Sequence, residues 1–236
     1  MSTIIITVDG HLGTGKSQVF KNGNILNFNK LNSVNVTEVL VPQDVNDWIK
    51  KGIFSNDVTD FERNAYIYES SHQKLEDVIS AGGDPNKLTV IIVERGLEPA
   101  HNIFSRIDSQ LKNMTYEENC KLQSLYDTLS DTVKPSDLII SLEVSKKTSI
   151  ENDKLSREHR SFYPLTIWNA YRKFRPDSPY SHSFKEEISY HKNIRDGSPR
   201  IISYLNVEGK TPDEIKNCLS EEIKQFILKS KQRYDI

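Results

Sequence analysis

The sequence predicts an α/β fold built on a five-stranded parallel sheet with helices on both faces. Five apolar, strand-like runs alternate with longer segments of helical periodicity, and such β-then-α units form a parallel sheet that helices cover from both sides. A glycine-rich phosphate-binding motif follows the first run, and polar motifs follow two others. Because parallel strands end at one edge of the sheet, we expect these motifs to converge at a single rim.

Length, charge and cysteine content narrow the class of protein. The 236 residues suit one α/β domain, and the formal net charge of −2 provides no basic surface for duplex nucleic acid. No apolar run approaches the roughly 20 residues that span a bilayer, and no signal-peptide pattern precedes the first strand. Cys120 and Cys218 are typical of reduced cytosolic thiols. We therefore expect a cytoplasmic protein with neither duplex nucleic acid nor a membrane as its partner; the motifs below favour a small-molecule partner.

Residues 10–17, Gly-His-Leu-Gly-Thr-Gly-Lys-Ser, follow the first predicted strand at 3–8 and fit the P-loop pattern G-x-x-x-x-G-K-[ST]. The glycines permit a tight loop whose backbone N–H groups turn inward around phosphate oxygens. A helix predicted from residue 16 to about 21 directs its positive N-terminal end at the same anion. Lys16 suits the β- and γ-phosphates, and the Ser17 hydroxyl suits Mg²⁺. The predicted phosphate-binding residues are Gly10, His11, Leu12, Gly13, Thr14, Gly15, Lys16 and Ser17.

The alternation of strands and helices continues through the rest of the chain. Apolar residues recur at helical spacing between 61 and 79, and the glycine- and proline-containing stretch 81–85 ends that helix. Residues 176–199 are polar with a few aromatics, which indicates an insertion. The further predicted strands are 36–41, 88–93, 138–142 and 201–207, and the further predicted helices are 44–51, 116–129, 163–174 and 212–228.

A second motif, Glu94-Arg95-Gly96, follows the predicted strand at 88–93. The carboxylate of Glu94 suits Mg²⁺, directly or through water, and the guanidinium of Arg95 suits a phosphoryl oxygen or the attacking group. The alternative is a structural Glu–Arg pair that caps the strand. Its place beside a P-loop favours the catalytic interpretation.

In these and several further blocks the chain resembles the deoxynucleoside kinase family, which includes deoxycytidine, deoxyguanosine and thymidine kinases. Val41-Pro42-Gln43-Asp44-Val45 with Trp48 is similar to the family's V-P-E-P-V-x-x-W, and Glu94-Arg95-Gly96 stands where the family has (D/E)-R-S. The other similar blocks are Ala65-Tyr66-Ile67-Tyr68-Glu69, Lys134-Pro135-Ser136-Asp137-Leu138-Ile139-Ile140, Arg157 to Arg160 with Tyr163-Pro164-Leu165, and 201–207. The resemblance spans nearly the whole chain.

The resemblance implies a three-layer P-loop kinase fold that forms a single domain over 1–236, with a lid at about 150–162 and the polar insertion at about 176–199. It implies transfer of the γ-phosphoryl group of ATP to the 5′-hydroxyl of a nucleoside, with Mg²⁺ near Ser17 and Glu94. It also implies a homodimer. The expected catalytic residues are Lys16, Glu94, Arg95, Asp44, Gln43 and Arg157. Arg157 and Arg160 are expected on the ATP phosphates, and the expected acceptor-binding residues are Trp48, Tyr66, Glu69, Arg95 and Glu158.

The departures from the family pattern lie in the acceptor half. Gln43 stands where the family has its catalytic Glu, and an amide takes no proton at neutral pH, so Asp44 is the candidate base and Gln43 orients the hydroxyl in the alternative. Glu69 replaces a base-reading Gln and either accepts from a donor-rich base edge or is an exposed helix residue. Trp48 and Tyr66 either stack on a base or pack in the core.

These departures leave three functional hypotheses. The first is a deoxynucleoside kinase. The second is a kinase for a nucleoside monophosphate, a modified nucleotide or a base hydroxymethyl group. The third is a nucleotide-binding protein that has lost turnover.

Overall fold

A computed structural model describes residues 3–10, 13–21, 23–31, 34–84, 86–111, 113–145, 147–152 and 201–230. Its single sheet has six strands in the order β2-β3-β4-β1-β5-β6. The strands are β1 (Thr3–Gly10), β2 (Lys30–Leu31), β3 (Val34–Val41), β4 (Lys87–Glu94), β5 (Leu138–Glu143) and β6 (Ile201–Asn206). The five predicted strands are present and pair in parallel, which confirms the α/β fold.

The prediction of five strands was short by one. β2 has only two residues and pairs antiparallel with β3 at the edge of the sheet, with Lys30 opposite Asn35 and Leu31 opposite Val34. Two residues are too few to establish an alternating pattern, so the sequence carries no periodic signal for this strand.

Most of the helices that the structure describes lie close to the predicted segments. They are α1 (Lys16–Lys21), α2 (Val45–Lys50), α3 (Asp60–Ser80), α4 (Leu97–Pro99), a π-helical turn (Ala100–Ser105), α5 (Arg106–Gln110), α6 (Tyr116–Thr132) and α7 (Pro212–Lys229). Residues 147–152 are also helical. The predicted helix 163–174, the insertion 176–199 and most of the lid at 150–162 lie outside the described residues.

The three long helices α3, α6 and α7 begin with the same N-terminal capping motif. Thr59, Thr115 and Thr211 each accept a hydrogen bond from the backbone N–H three residues on, and the Glu at that position accepts in return from the threonine's own N–H. This capping box satisfies donors that the first helical turn leaves without partners. It fixes the starts of α3, α6 and α7 within a residue of the predicted positions.

The segment from α4 to α5 was not predicted. It begins at Gly96, whose φ of 63° is in the left-handed region, and it contains Pro99 in its first turn. The π-helical turn that follows widens the spiral, so the apolar residues do not recur with an α-helical period.

The sheet separates two apolar layers, as expected for helices on both faces. Ile4, Ile6 and Val8 of β1 pack in a cluster that includes Val19 of α1 and Leu219 of α7. Ile5 points to the opposite face, where Leu75 and Val78 of α3 pack against it. β1 is therefore buried from both sides, and its C-terminal end carries the P-loop into the centre of the rim. Among the described helices, none is long and apolar enough to cross a bilayer.

Candidate active site

The P-loop leaves β1 through a glycine that no other residue can easily replace. Gly10 has a φ of 138°, and a Cβ built on it would lie 2.4 Å from the carbonyl oxygen of Leu142 on the neighbouring strand β5. Gly13 and Gly15 also have positive φ, at 84° and 87°. The loop therefore depends on conformations that glycine adopts without steric cost. Gly15 O then accepts from Gln18 N and Val19 N, at 3.0 and 3.2 Å, which starts α1.

Lys16 is folded back on the loop that carries it. The side chain is almost buried, and Nζ donates to Gly10 O and, over 3.1 Å, to Thr14 Oγ1. Gly10 O and Thr14 Oγ1 are neutral oxygens of the loop. The ammonium therefore lies where an anionic phosphate oxygen would be a stronger partner than either of them.

A second group of contacts joins three segments of the rim. Ser17 Oγ donates to Glu94 Oε1 over 2.8 Å, and the backbone N–H of Gln43 donates to Glu94 Oε2 over 3.1 Å. Glu94 is only 5% exposed. One carboxylate at the end of β4 thus links the start of α1 to the loop between β3 and α2, and both of the predicted Mg²⁺ ligands meet there.

Arg95 does not pair with Glu94. Its backbone φ of 67° is the only positive value among the described non-glycine residues, and its guanidinium turns towards β1. Nε lies 3.2 Å from Oδ1 of the fully buried Asp9, and Nη2 donates to Gly10 O over 2.6 Å. The guanidinium also lies over the ring of Phe104, 4.5 Å from its centroid. Arg95 therefore supports the P-loop from beneath, a role that the sequence analysis did not assign to it.

The loop between β3 and α2 carries the two candidates for the acceptor side. Gln43 is half-buried, and its recorded contact with Glu94 is made by the backbone. Asp44 is about half exposed and lies next to Lys74 of α3, whose Nζ is 3.3 Å from Asp44 Oδ2. Gln43 and Asp44 are thus held at the same rim as Lys16, Ser17 and Glu94.

The other acceptor-side residues are distributed differently. Trp48 is buried with Phe54, and its indole N–H donates to Ser70 Oγ over 3.0 Å, so it packs in the core. Tyr66 is half-buried, with Lys51 Nζ 5.5 Å from its ring centroid. Glu69 is exposed, and at about 100° per residue it lies roughly 140° around α3 from Lys74. The structure therefore does not bring Glu69 to the rim that Lys74 and Asp44 share.

A buried polar network behind this rim was missed by the sequence analysis. The Tyr68 hydroxyl contacts His101 Nδ1, over 2.9 Å, and Ser105 Oγ; Asn64 joins Ser105 to Asp108. Burial raises the pKa of Tyr68 and lowers that of His101. Asn64 and Tyr68 are four residues apart on α3 and therefore lie on the same face of the helix. Two polar residues at this spacing, on the face that packs inward, are the feature of the sequence that could have predicted the network.

Several predicted site residues lie outside the described residues. They are His11, Leu12, Arg157, Glu158 and Arg160. The adjoining Asn152, which the sequence analysis did not single out, donates through Nδ2 to Gly13 O over 2.8 Å. Within the described ranges, no three His, Cys, Asp or Glu side chains form a group that could hold a metal ion.

Comparison with known proteins supports the fold. No protein-family model matches the chain, and no curated protein matches it. Among solved structures, a deoxyadenosine kinase from M. mycoides with the products dCMP and a flexible dCDP bound aligns with a TM-score of 0.57 at 17% identity, over 94% of this chain and 100% of the other. The same kinase with bound dATP aligns with a TM-score of 0.55 at 17% identity, over 93% and 99% of the two chains. At this identity the likeness shows a shared fold.

Proposed function

We propose that this protein transfers the γ-phosphoryl group of ATP to the 5′-hydroxyl of a nucleoside or deoxynucleoside. The observation that carries the proposal is the pair of contacts on Glu94, from the Ser17 hydroxyl and from the Gln43 backbone. They join the phosphate-binding loop to the segment that holds the candidate base, at the carboxyl end of the sheet. The fold shared with a kinase that binds dCMP, dCDP and dATP supports this choice of substrates.

On the donor side, the P-loop provides the binding groups. Its backbone N–H groups and the N-terminal end of α1 face the phosphates, because the positive-φ glycines turn the loop around them. Lys16 leaves Gly10 O and Thr14 Oγ1 for the phosphate oxygens and neutralises charge that develops during transfer. Arg95 keeps its contact with Gly10 O, so the loop stays supported when the lysine moves.

The residues present fit a magnesium ion. Mg²⁺ prefers hard oxygen ligands and in such sites takes one or two from the protein and the rest from phosphates and water. The Ser17 hydroxyl and the Glu94 carboxylate provide such oxygens, 2.8 Å apart. When bound there, the ion would neutralise negative charge on the β- and γ-phosphates.

On the acceptor side, Asp44 is the group able to take the proton of the attacking hydroxyl. Gln43 lacks a basic atom, and its place beside Glu94 suits it to orient the hydroxyl. Transfer through a loose transition state depends mainly on position and on charge stabilisation, so a carboxylate one residue away from the family's Glu can serve. Arg157 and Arg160 would close on the phosphates, and Glu158 would contact the sugar. Tyr66, which is half-buried, is the candidate for contact with the base, since Trp48 packs in the core and Glu69 lies on another side of α3.

The test is an acceptor panel. Purified protein is incubated with Mg-ATP and each of a set of nucleosides, deoxynucleosides and nucleoside monophosphates, and ADP release is followed. Turnover with a nucleoside, lost in Lys16→Ala and sharply slowed in Asp44→Asn, supports the proposal. Turnover with monophosphates alone would identify the second hypothesis, and ATP binding without acceptor-dependent ADP the third.

A further inference from the structure

Lys74 reaches from α3 to the loop that carries the candidate base. Its Nζ donates to Pro42 O over 3.0 Å and lies 3.3 Å from Asp44 Oδ2, so one ammonium contacts both ends of the Pro42–Asp44 loop. About a third of the Lys74 side chain and half of the Asp44 side chain are exposed. The pair therefore lies at the surface of the rim and is partly open to solvent.

The Asp44 carboxylate is turned away from the position it would ordinarily take. Asp44 is the N-cap residue of α2, and an N-cap aspartate usually accepts a hydrogen bond from a backbone N–H of the first helical turn. Asp44 makes no such bond; only its carbonyl oxygen serves the helix, by accepting from Asp47 N and Trp48 N over 3.0 and 3.1 Å. The side chain faces Lys74 instead.

Stability does not account for this orientation. A side-chain N-cap contributes about 1 kcal/mol. An exposed ion pair contributes roughly 0.2–1 kcal/mol, so replacing the cap by the Lys74 contact stabilises the fold little or not at all. The arrangement does fix where the carboxylate points.

The loop that carries the Asp44 carboxylate is also hydrogen-bonded, through Glu94, to the P-loop residue Ser17. Gln43, between the two contact points of Lys74, gives its backbone N–H to Glu94, and Glu94 accepts from Ser17. The loop is thus fixed on one side to α3 and on the other to the predicted Mg²⁺ ligands. A carboxylate held on this loop keeps a constant position relative to the P-loop.

We propose that Lys74 is a positioning residue for Asp44: it keeps the carboxylate off the helix cap and directed at the acceptor hydroxyl. The inference rests on the proposed function. Without Lys74, the carboxylate returns to the first-turn N–H groups of α2 and is no longer placed to take the proton. Loss of position by about 1 Å can lower a rate about 100-fold, so the effect on transfer greatly exceeds the effect on stability.

The experiment is a double-mutant cycle on the full chain, with steady-state kinetics of nucleoside phosphorylation. Lys74→Met should lower kcat about tenfold or more and leave KM for ATP within about twofold, because the Lys74 ammonium contacts Pro42 and Asp44 and none of the described P-loop residues. Lys74→Arg should recover most of the rate. In the Asp44→Asn background, Lys74→Met should cause no further loss, since its effect acts through Asp44.

Lys87→Met is the matched control. Lys87 also forms a part-exposed ion pair, with Asp84 over 3.1 Å, but it begins β4 at the opposite end of the sheet from the P-loop. Lys87→Met should leave kcat unchanged. Lys87→Met and Lys74→Met should both melt at the wild-type temperature. A Lys74→Met loss of equal size with and without Asp44 would overturn the inference, as would an unchanged kcat. A wild-type protein inactive on every acceptor would overturn the proposed function itself and the inference with it.

Discussion

The Arg95 guanidinium forms an ion pair with Asp9, a carboxylate that is fully buried at the end of β1. Asp9 lies in β1 and Arg95 directly follows the neighbouring strand β4, and the register that pairs Val8 with Glu94 brings the two side chains together. The pair lies directly beneath Gly10, to which Arg95 also donates. The base of the phosphate-binding loop therefore depends on a charge pair in the interior.

Arg95→Met should destabilise the protein by about 3–5 kcal/mol, because it removes a cation that lies against the fully buried Asp9 carboxylate. Urea unfolding of the two proteins measures the difference. Arg95→Lys should recover only part of it, since an ammonium cannot reproduce the separate contacts to Asp9 and Gly10. The combined variant Asp9→Asn with Arg95→Met should be more stable than Arg95→Met alone. If it is not, Asp9 is not the group that Arg95 compensates.

Glu94→Gln should weaken ATP binding in the presence of magnesium, by about tenfold or more, and leave binding in EDTA unchanged. The amide removes the charge that the ion requires but keeps the shape of the side chain. Calorimetry with ATP at several MgCl₂ concentrations separates the two components. Glu117→Gln removes the same charge from the exposed start of α6 and should have no effect. Equal losses with and without magnesium would assign Glu94 a purely structural role.

Gly10→Ala should destabilise the protein by about 2–4 kcal/mol, because the methyl group overlaps the Leu142 carbonyl and the backbone has a positive φ. Gly82→Ala is the control. Gly82 also has a positive φ, 68°, but a Cβ there meets nothing within 4 Å, so its cost is about 1 kcal/mol. Urea unfolding of both variants measures the difference. If both variants lose the same free energy of unfolding, the backbone of β5 moves away from the added methyl group at no cost, and the predicted clash with Leu142 does not occur.

Stability should fall as the pH is lowered through the ordinary pKa of histidine, about 6.5, and His101 should contribute to this fall. Burial lowers the pKa of His101 in the folded protein, so below pH 6.5 the unfolded chain binds a proton that the folded chain resists. His101→Gln should flatten the slope of the unfolding free energy between pH 7 and pH 5. At pH 8 the residue is neutral in both states, so that pH measures the cost of the substitution alone. A slope identical to the wild-type slope would show that His101 does not contribute to the pH dependence of stability.

Local patterns in the sequence were sufficient for the fold and for the position of the P-loop residues at the rim of the sheet. The P-loop residues are consecutive, and the strand before them and the helix after them have clear periodicity, so Lys16 and Ser17 were assigned to a phosphate site directly from the motif. Glu94 follows a strand with an apolar run long enough to be central. The rule that parallel strands end at one edge then predicted that Glu94 and Ser17 meet, and they do.

Contacts between distant segments were beyond what the sequence could establish. The partner of Arg95 is Asp9, 86 positions earlier, and only the register of β1 against β4 reveals it. Asp44 was identified from its place beside Gln43, whereas Lys74 lies on another helix with nothing in its surroundings to mark it. For Glu69, the helical period is compatible with either face until the packing of α3 is known.

The contacts of Lys16 have a consequence for the protein without nucleotide. Burying an ammonium in the interior of a protein is costly when nothing compensates its lost hydration, yet here Gly10 O and Thr14 Oγ1 accept hydrogen bonds from it. These contacts compensate part of the cost of burying the ammonium, so we expect the protein to stay folded during purification in the absence of ATP. Under the proposed function, a triphosphate would exchange partners with these oxygens on a loop that is already assembled, so it could bind and leave in each turnover without unfolding the loop.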